Sequence, residues 1–308
     1  MTATAGLAVR CLALDALATA TSDLLRRHGV DCLLLKGAGL ARRLGVDRVY
    51  GDVDLLVAPA TLTAARAALH AAGYHPTLPP EPYDVAAPWH EQPFTAPGTL
   101  PLTVDLHRGF AGVGDSDALW RSLRGTAEPL DLAGGRVLVP DEAGAALLAA
   151  LHAACPGDSD KPAFDLDRAL AVLPPPAWAA AGRLATRCDA VPAFTVGMRL
   201  RPAGAVVADR LGLSAAAEPA SMWLAARRAT PTTVGLAGAV ELPGPWLRRL
   251  RLLGRLALPP PAYLRQADPA ARGGRWHLAR AYARRTCRHV RWLPRGVREL
   301  RTARRRHG

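Results

Sequence analysis

Apolar residues recur at helical spacing from the beginning of the chain. Leu7, Cys11, Leu14, Ala18 and Leu25 share one face of a stretch from 7 to 28, and His28-Gly29 supplies a stop. Val30 to Leu35 is a short continuous apolar run, which predicts a buried strand, and Gly37 to Leu44 reads as the helix after it. Asp52 to Val57 predicts a second strand, and Pro59 opens a helix to about Ala72, closed by Gly73-Tyr74. The proline-rich residues 76–88 give a loop. Glu91 to Thr95 is expected as an edge strand beside Leu102 to His107, where Leu102, Val104 and Leu106 alternate with Thr103, Asp105 and His107. Arg136 to Val139 is a further short strand, and Asp141 caps a helix through about Ala154. From there the pattern is helical, with proline breaks at Pro174-Pro175-Pro176, Pro192, Pro202 and Pro259-Pro260-Pro261. The order predicts an α/β (α+β) chain: a domain with a small mixed sheet over 1–140, then a helical domain over 141–308.

The alternation also carries candidate chemistry. Asp52 and Asp54 stand at i and i+2 at the head of an apolar strand, so both carboxylates lie on one face and can grip one hard cation. Asp105 emerges from a second strand of suitable alternation. Phosphoryl and nucleotidyl transfer use such carboxylates to hold divalent ions that neutralise phosphate charge. Lys36 and Gly37 follow the first buried strand at a turn into a helix, where a glycine permits a tight turn and amide groups favour an anion. Lys36 is one of only two lysines in a chain with 37 arginines. An isolated Asp-x-Asp is more often a turn and cap feature; the ordered combination with a third strand-borne Asp points to a nucleotide site. For Arg48, phosphate contact and a loop salt bridge are both open, as are an outer-shell role and a structural role for His107.

These residues form a pattern. The run L-K-G-x-x-L at Leu35 to Leu40, R-x-x-G-D-x-D-L-L-V at Arg48 to Val57, and V-D-L-H at Val104 to His107 resembles nucleotidyltransferases of the DNA polymerase β superfamily. The similarity is to a bacterial family known simply as nucleotidyltransferase family proteins, some of which occur in lasso-peptide biosynthetic clusters, and it spans about residues 30–170. His90, His152 and Asp165-x-x-Arg168 resemble further family elements. Two departures stand out: Arg108 replaces the usual aromatic after D-L-H, and Lys-Gly replaces the usual Gly-Ser. The resemblance implies a polymerase β-like fold, Mg²⁺ or Mn²⁺ as cofactor and a nucleoside triphosphate as substrate. It implies Asp52, Asp54 and Asp105 as catalytic metal ligands, and Lys36, Gly37, Arg48 and Gly51 as nucleotide-binding residues. It names no acceptor: a peptide, a small molecule or RNA.

Composition adds location and partners. About half the residues are hydrophobic, enough for a core in each of two domains, and no uncharged apolar run reaches membrane-spanning length. The N-terminus lacks a basic region before its apolar stretch, and the five scattered cysteines form no C-x-x-C pair. A cytoplasmic protein with reduced thiols and no zinc site is expected. The net charge of +13 is concentrated: residues 245–308 hold 18 Arg against Asp268 and Glu299, leaving the rest of the chain slightly acidic. On a helix from Arg275 to Trp292, the spacing of Trp276, Ala279, Ala283, Cys287 and Val290 predicts an inward stripe with solvated Arg faces. Contact with nucleic acid, an acidic partner or an anionic membrane surface stays open. So do two other functions: a toxin-like nucleotidyltransferase acting on tRNA or protein, and a non-catalytic partner-binding protein of the same fold.

Overall fold

A computed structural model describes residues 3–46, 49–77, 90–155, 160–213, 246–261, 264–265, 268–271 and 273–307. These fall into two compact units, one built from 3–77, 90–155 and 160–213, the other from 246 onward. The boundary expected near 140 lies inside the first unit, because helices beyond it pack on the helix that follows Lys36.

The first unit begins with α1 (Ala3–Arg27), β1 (Cys32–Leu34), α2 (Ala38–Leu44) and β2 (Asp52–Val57). A 3-10 turn at Pro59–Thr61 leads into α3 (Leu62–Ala71), then come β3 (His75–Pro76), β4 (Glu91–Thr95) and β5 (Thr103–His107). After α4 (Ser116–Gly125), the strands β6 (Glu128–Leu132) and β7 (Gly135–Val139) form a separate antiparallel hairpin. Five helices complete the unit: α5 (Glu142–Ala154), α6 (Lys161–Val172), α7 (Pro175–Arg187), α8 (Val191–Arg199) and α9 (Pro202–Arg210). The prolines that break the helical pattern sit in the first turns of α7, α8 and α9, where a missing N–H costs nothing, so they start helices as well as ending them.

The main sheet has five strands in the order β1-β2-β5-β4-β3. It is mixed: β2 and β5 run parallel and every other neighbouring pair runs antiparallel. The two-residue β3 covers the outside of β4, so Glu91–Thr95 is an interior strand, not the edge expected from its sequence. One face of the sheet presents Leu34, Val53, Leu55, Val57, Phe94, Val104 and Leu106 to α1 and α3, whose Leu14, Ala18, Leu25, Ala65 and Leu69 close the core. Each fully buried Leu or Val there contributes roughly 1.5–3 kcal/mol. The opposite face carries Asp52, Thr103, Asp54 and Asp105, and becomes apolar where Leu33 stands opposite Leu56.

Strand β7 was expected as Arg136 to Val139, but its partner β6 and helix α4 had no clear sequence signal. The β6–β7 hairpin turns through Ala133 at φ 47° and Gly134 at φ 80°, the twist of a two-residue turn that Asn-Gly usually marks. Helix α4 is capped by Asp115, whose carboxylate accepts from the amide of Ala118 at 2.8 Å. Of the proline-rich loop expected over 76–88, residues 78–88 lie outside the described residues.

The second unit contains α10 (Trp246–Ala257), a 3-10 turn at Pro269–Ala271 and α11 (Arg275–His307), which continues through Pro294 well past Trp292. Its small core joins Leu264 and Ala271 to Ala281, with Leu278 and Tyr282 packed against them. Tyr282 donates its hydroxyl to the carbonyl of Pro259 at 2.5 Å. The inward stripe is therefore Leu278, Ala281 and Tyr282, and the expected one is turned out: Trp276 is 83% exposed and Val290 63%. Apolar residues recur on both faces of this helix, and contact with Leu264 and Ala271 selects between them. No helix among the described residues is long and apolar enough to cross a membrane.

Candidate active site

The site is built where β1, β2 and β5 run side by side. The amide of Leu35 donates to the carbonyl of Asp54 at 3.0 Å, extending the β1–β2 ladder and bringing Lys36 level with the start of β2. Gly37 then turns the chain at φ 63°, ψ −132°, a conformation costly for any residue with a Cβ. Gly39 lies so close to β7 that a Cβ would meet Cγ1 of Val139 at 2.8 Å. The two glycines thus let α2 leave the strand end sharply and dock against the hairpin.

The parallel register sets Asp54 opposite Asp105 and Leu56 opposite His107, while the antiparallel β4 sets Glu91 opposite His107. Asp52, Asp54, Asp105, His107 and Glu91 accordingly share one face. Oδ1 of Asp54 accepts two bonds, from Nζ of Lys36 at 2.9 Å and from Nε2 of His107 at 3.0 Å. An ionised carboxylate only accepts, so His107 carries its proton on Nε2, and its Nδ1 faces Oε2 of Glu91 at 3.6 Å. The imidazole is fully buried and stacks on Phe110, with ring centroids 6.1 Å apart and planes within 10°. Nζ of Lys36 also stands 5.4 Å from the centre of the Phe110 ring.

The electrostatics separate the three aspartates. Burial opposes charge on Asp54, but the Lys36 ammonium and the His107 hydrogen bond outweigh it and hold its carboxyl well below the usual range. Burial, reinforced by the Asp54 charge, pushes Asp52 up, with Lys36 and Lys161 pulling the other way. Asp105 is pushed up to about 7, first by burial and then by Asp54. Burial lowers His90 to about 4, which leaves it neutral at physiological pH.

A cleft of about 130 Å³ opens on this face, lined by Lys36, Gly37, Tyr50, Asp52, Asp54, His152, Lys161 and Pro162. The structure thus brings four of the expected residues, Lys36, Gly37, Asp52 and Asp54, around one space. Asp105 shares the sheet face but not the lining of the cleft, and no three His, Cys, Asp or Glu among the described residues form a ready metal cage. Gly51 is exposed at the head of β2, where its carbonyl accepts from Arg10 at 3.2 Å. Arg48 lies outside the described residues. Of the more distant motif elements, Arg168 is an anchor: its guanidinium donates to the carbonyls of Leu44 at 3.0 Å and Gly45 at 3.4 Å, tying α6 to the end of α2. Asp165 is buried in the same helix.

The residues fit a divalent cation. Asp52, Asp54, Asp105 and Glu91 share the sheet face, Lys36 bonds to Asp54, the charge of Lys161 reaches Asp52, and the buried Oδ1 of Asp105 has no hydrogen-bond partner. Hard oxygen donors with unsatisfied lone pairs are the ligands such an ion takes.

The sequence model of a family described as an uncharacterised nucleotidyltransferase matches residues 2–202, about two thirds of the chain. The chain belongs to that family. No curated protein matches it. The matched range holds every described element of the first unit as far as the start of α9, including the Lys36 turn, both carboxylate strands and α6. This nucleotidyltransferase therefore carries, within the family's own span, three cleft residues that motif reading did not single out, Tyr50, Lys161 and Pro162. Lys161 had a signal available, since it is the chain's other lysine. Tyr50 had none; its hydroxyl donates to the carboxylate of Asp15 on α1.

Proposed function

We propose that this nucleotidyltransferase moves a nucleoside monophosphate from a nucleoside triphosphate to an acceptor group, with Mg²⁺ or Mn²⁺, in the cytoplasm. The observation that supports it best is the parallel β2–β5 register, which puts Asp54 opposite Asp105 with Asp52 on the same face. Asp52 and the remaining oxygen of Asp54 would hold the ion, with Asp105 as a third donor. When bound, the ion neutralises phosphate charge and acidifies an attacking hydroxyl. Lys36 and His107 pin one oxygen of Asp54, so that the other is presented in a fixed direction. A carboxylate near neutral pKa, as Asp105 is, suits acceptance of the acceptor's proton. The acceptor oxygen then bonds to the α-phosphorus, the bond from that phosphorus to the bridging oxygen breaks, and pyrophosphate leaves. Gly37 lines the cleft that the nucleotide would enter, and Gly51 and Arg48 stay proposed as nucleotide-binding residues.

Each α-labelled triphosphate, incubated with Mg²⁺ or Mn²⁺ and candidate acceptors, tests the reading. Label should pass to the acceptor with release of pyrophosphate. Transfer that survives Asp52→Asn combined with Asp54→Asn would falsify the assignment of roles. The resemblance to members of lasso-peptide clusters makes a peptide natural product the first acceptor to try. The arginines of α11, many of them exposed around Trp276, favour RNA as the second. Binding to RNA that weakens steeply with added salt separates that reading from peptide modification.

A further inference from the structure

Both lysines of the chain, the only two among 39 basic residues of the Lys and Arg type, line the same 130 Å³ cleft. Lys36 follows β1 and Lys161 is the first residue of α6, 125 positions later, so nothing local to the sequence brings them together. Everywhere else the protein uses arginine. An ammonium is a compact point charge on a slender stem, whereas a guanidinium is a broad planar fork, and a cleft this small takes the former more readily.

Lys161 also stands at the N-terminus of α6. The N-terminus of a helix carries roughly half a positive charge, which disfavours a cation in the first turn. Lys161 opens the twelve-residue helix and brings its charge to the cleft that already holds Lys36. Its charge reaches Asp52, whose acidity it restores in part. The frame that holds it is stiff. Arg168 fastens α6 to the end of α2, the helix that begins at Gly37, and Arg201 pairs with Asp167 on the same helix. The cleft is well below the ~300–1,000 Å³ of pockets that enclose whole drug-sized ligands, so it suits one end of a nucleotide.

We infer that Lys161 binds the terminal phosphates of the triphosphate, across the cleft from the carboxylates, and that it acts as the discriminator between tri- and monophosphates. His152, on the last turn of α5, lines the same cleft. The inference rests on the nucleotide reading above and assigns a direction to it: the α-phosphate lies by Asp52 and Asp54, and the departing pyrophosphate lies toward α6.

The test compares wild type, Lys161→Met and Lys161→Arg for binding of fluorescent ATP, GTP and their monophosphates with Mg²⁺, together with pyrophosphate binding by calorimetry. Thermal melts establish that each variant folds. Lys161→Met should weaken triphosphate and pyrophosphate binding at least tenfold and leave monophosphate binding within twofold; Lys161→Arg should recover only part. Triphosphate binding within twofold of wild type in Lys161→Met overturns the inference and leaves the nucleotide reading standing, as does an equal loss for mono- and triphosphates. If wild type binds no nucleotide, the nucleotide reading fails, and pyrophosphate decides: binding lost in Lys161→Met keeps Lys161 as an anion site, and unchanged or absent binding removes it.

Discussion

Alternate residues of β2 build two faces of opposite energetics. Val53, Leu55 and Val57 are almost wholly buried against α1 and α3 and supply the stability of the sheet. Asp52 and Asp54, between them, join Asp105 in a concentration of charge that burial and mutual repulsion oppose. Asp54 is compensated most strongly, by Lys36 and His107, and Asp52 in part by Lys36 and Lys161. A strand optimised for stability would not carry that second face, and it stands because the first face holds it in place.

The comparison breaks most readily at its two extremes. Asp52→Asn with Asp54→Asn should lower nucleotidyl transfer by at least about 10²–10³-fold, the scale of losing one strong electrostatic contact to a transition state. Label transfer measures this, and circular dichroism should show the fold intact. Leu69→Ala, on α3 against the apolar face, should do the reverse. It should cost about 2–5 kcal/mol in a denaturant titration and leave turnover per folded molecule within a few-fold. Unfolding of the double Asn variant, or an inactive but stable Leu69→Ala, would mean that the two faces are not separable in this way.

A smaller effect sharpens the polar side. His107→Gln keeps a donor near Asp54 but loses the ring stacked on Phe110 and the arrangement facing Glu91. Transfer should fall by about 10–100-fold, the usual cost of removing a group that orients a metal ligand. The loss should appear in kcat with little change in triphosphate binding, and a variant as active as wild type would reduce His107 to a packing residue.

How far the sequence foretells these faces depends on the range of the interaction. The period of two in Asp52 to Val57 and in Leu102 to His107 is local, so the strands and their polar sides are legible from spacing alone. Opposition of Asp54 to Asp105 needs the parallel register, which no short pattern encodes. Glu91 reads as a plain strand residue until β4 pairs with β5 and sets it beside His107. Lys161 is separated from Lys36 by most of the unit, and its rarity was the one clue available. In α11 the failure has a different cause: arginine on every side leaves apolar residues on two faces, and only contact with Leu264 and Ala271 picks Leu278 and Ala281 over Trp276 and Val290. Of the hairpin, β7 was legible as Arg136 to Val139, while β6 and the turn stayed hidden because Ala133 occupies a positive-φ turn position that Asn or Gly would have advertised.

The smallest effect concerns pH. Asp105 binds its proton more tightly in the folded protein than its ordinary value of 3.8, up to about 7. Between those values the folded state holds a proton that the unfolded state has lost, so stability falls as pH rises through that window. Asp54 has the opposite sign, since its carboxyl is held low, and its contribution is lost only in stronger acid. His90, held down to about 4 by burial, adds stability as pH rises from about 4 to 6.5 and so offsets this slope in the wild type. The Asp105 share is read as the difference between the metal-free wild type and Asp105→Asn, the variant gaining on the wild type from pH 5 to pH 8. Asp105→Asn should remove part of that slope and raise the midpoint at pH 8 by a few degrees, at about 2–4 °C per kcal/mol for a unit of this size. Millimolar Mg²⁺ or Mn²⁺ should raise the wild-type midpoint at pH 8 and do less for the variant, because a cation on the shared face relieves the same repulsion. Differential scanning fluorimetry across pH, with and without metal, reads all four conditions. A difference between wild type and Asp105→Asn that stays constant from pH 5 to 8, or equal metal stabilisation of both proteins, would place Asp105 outside the charge cluster that sets the polar face apart.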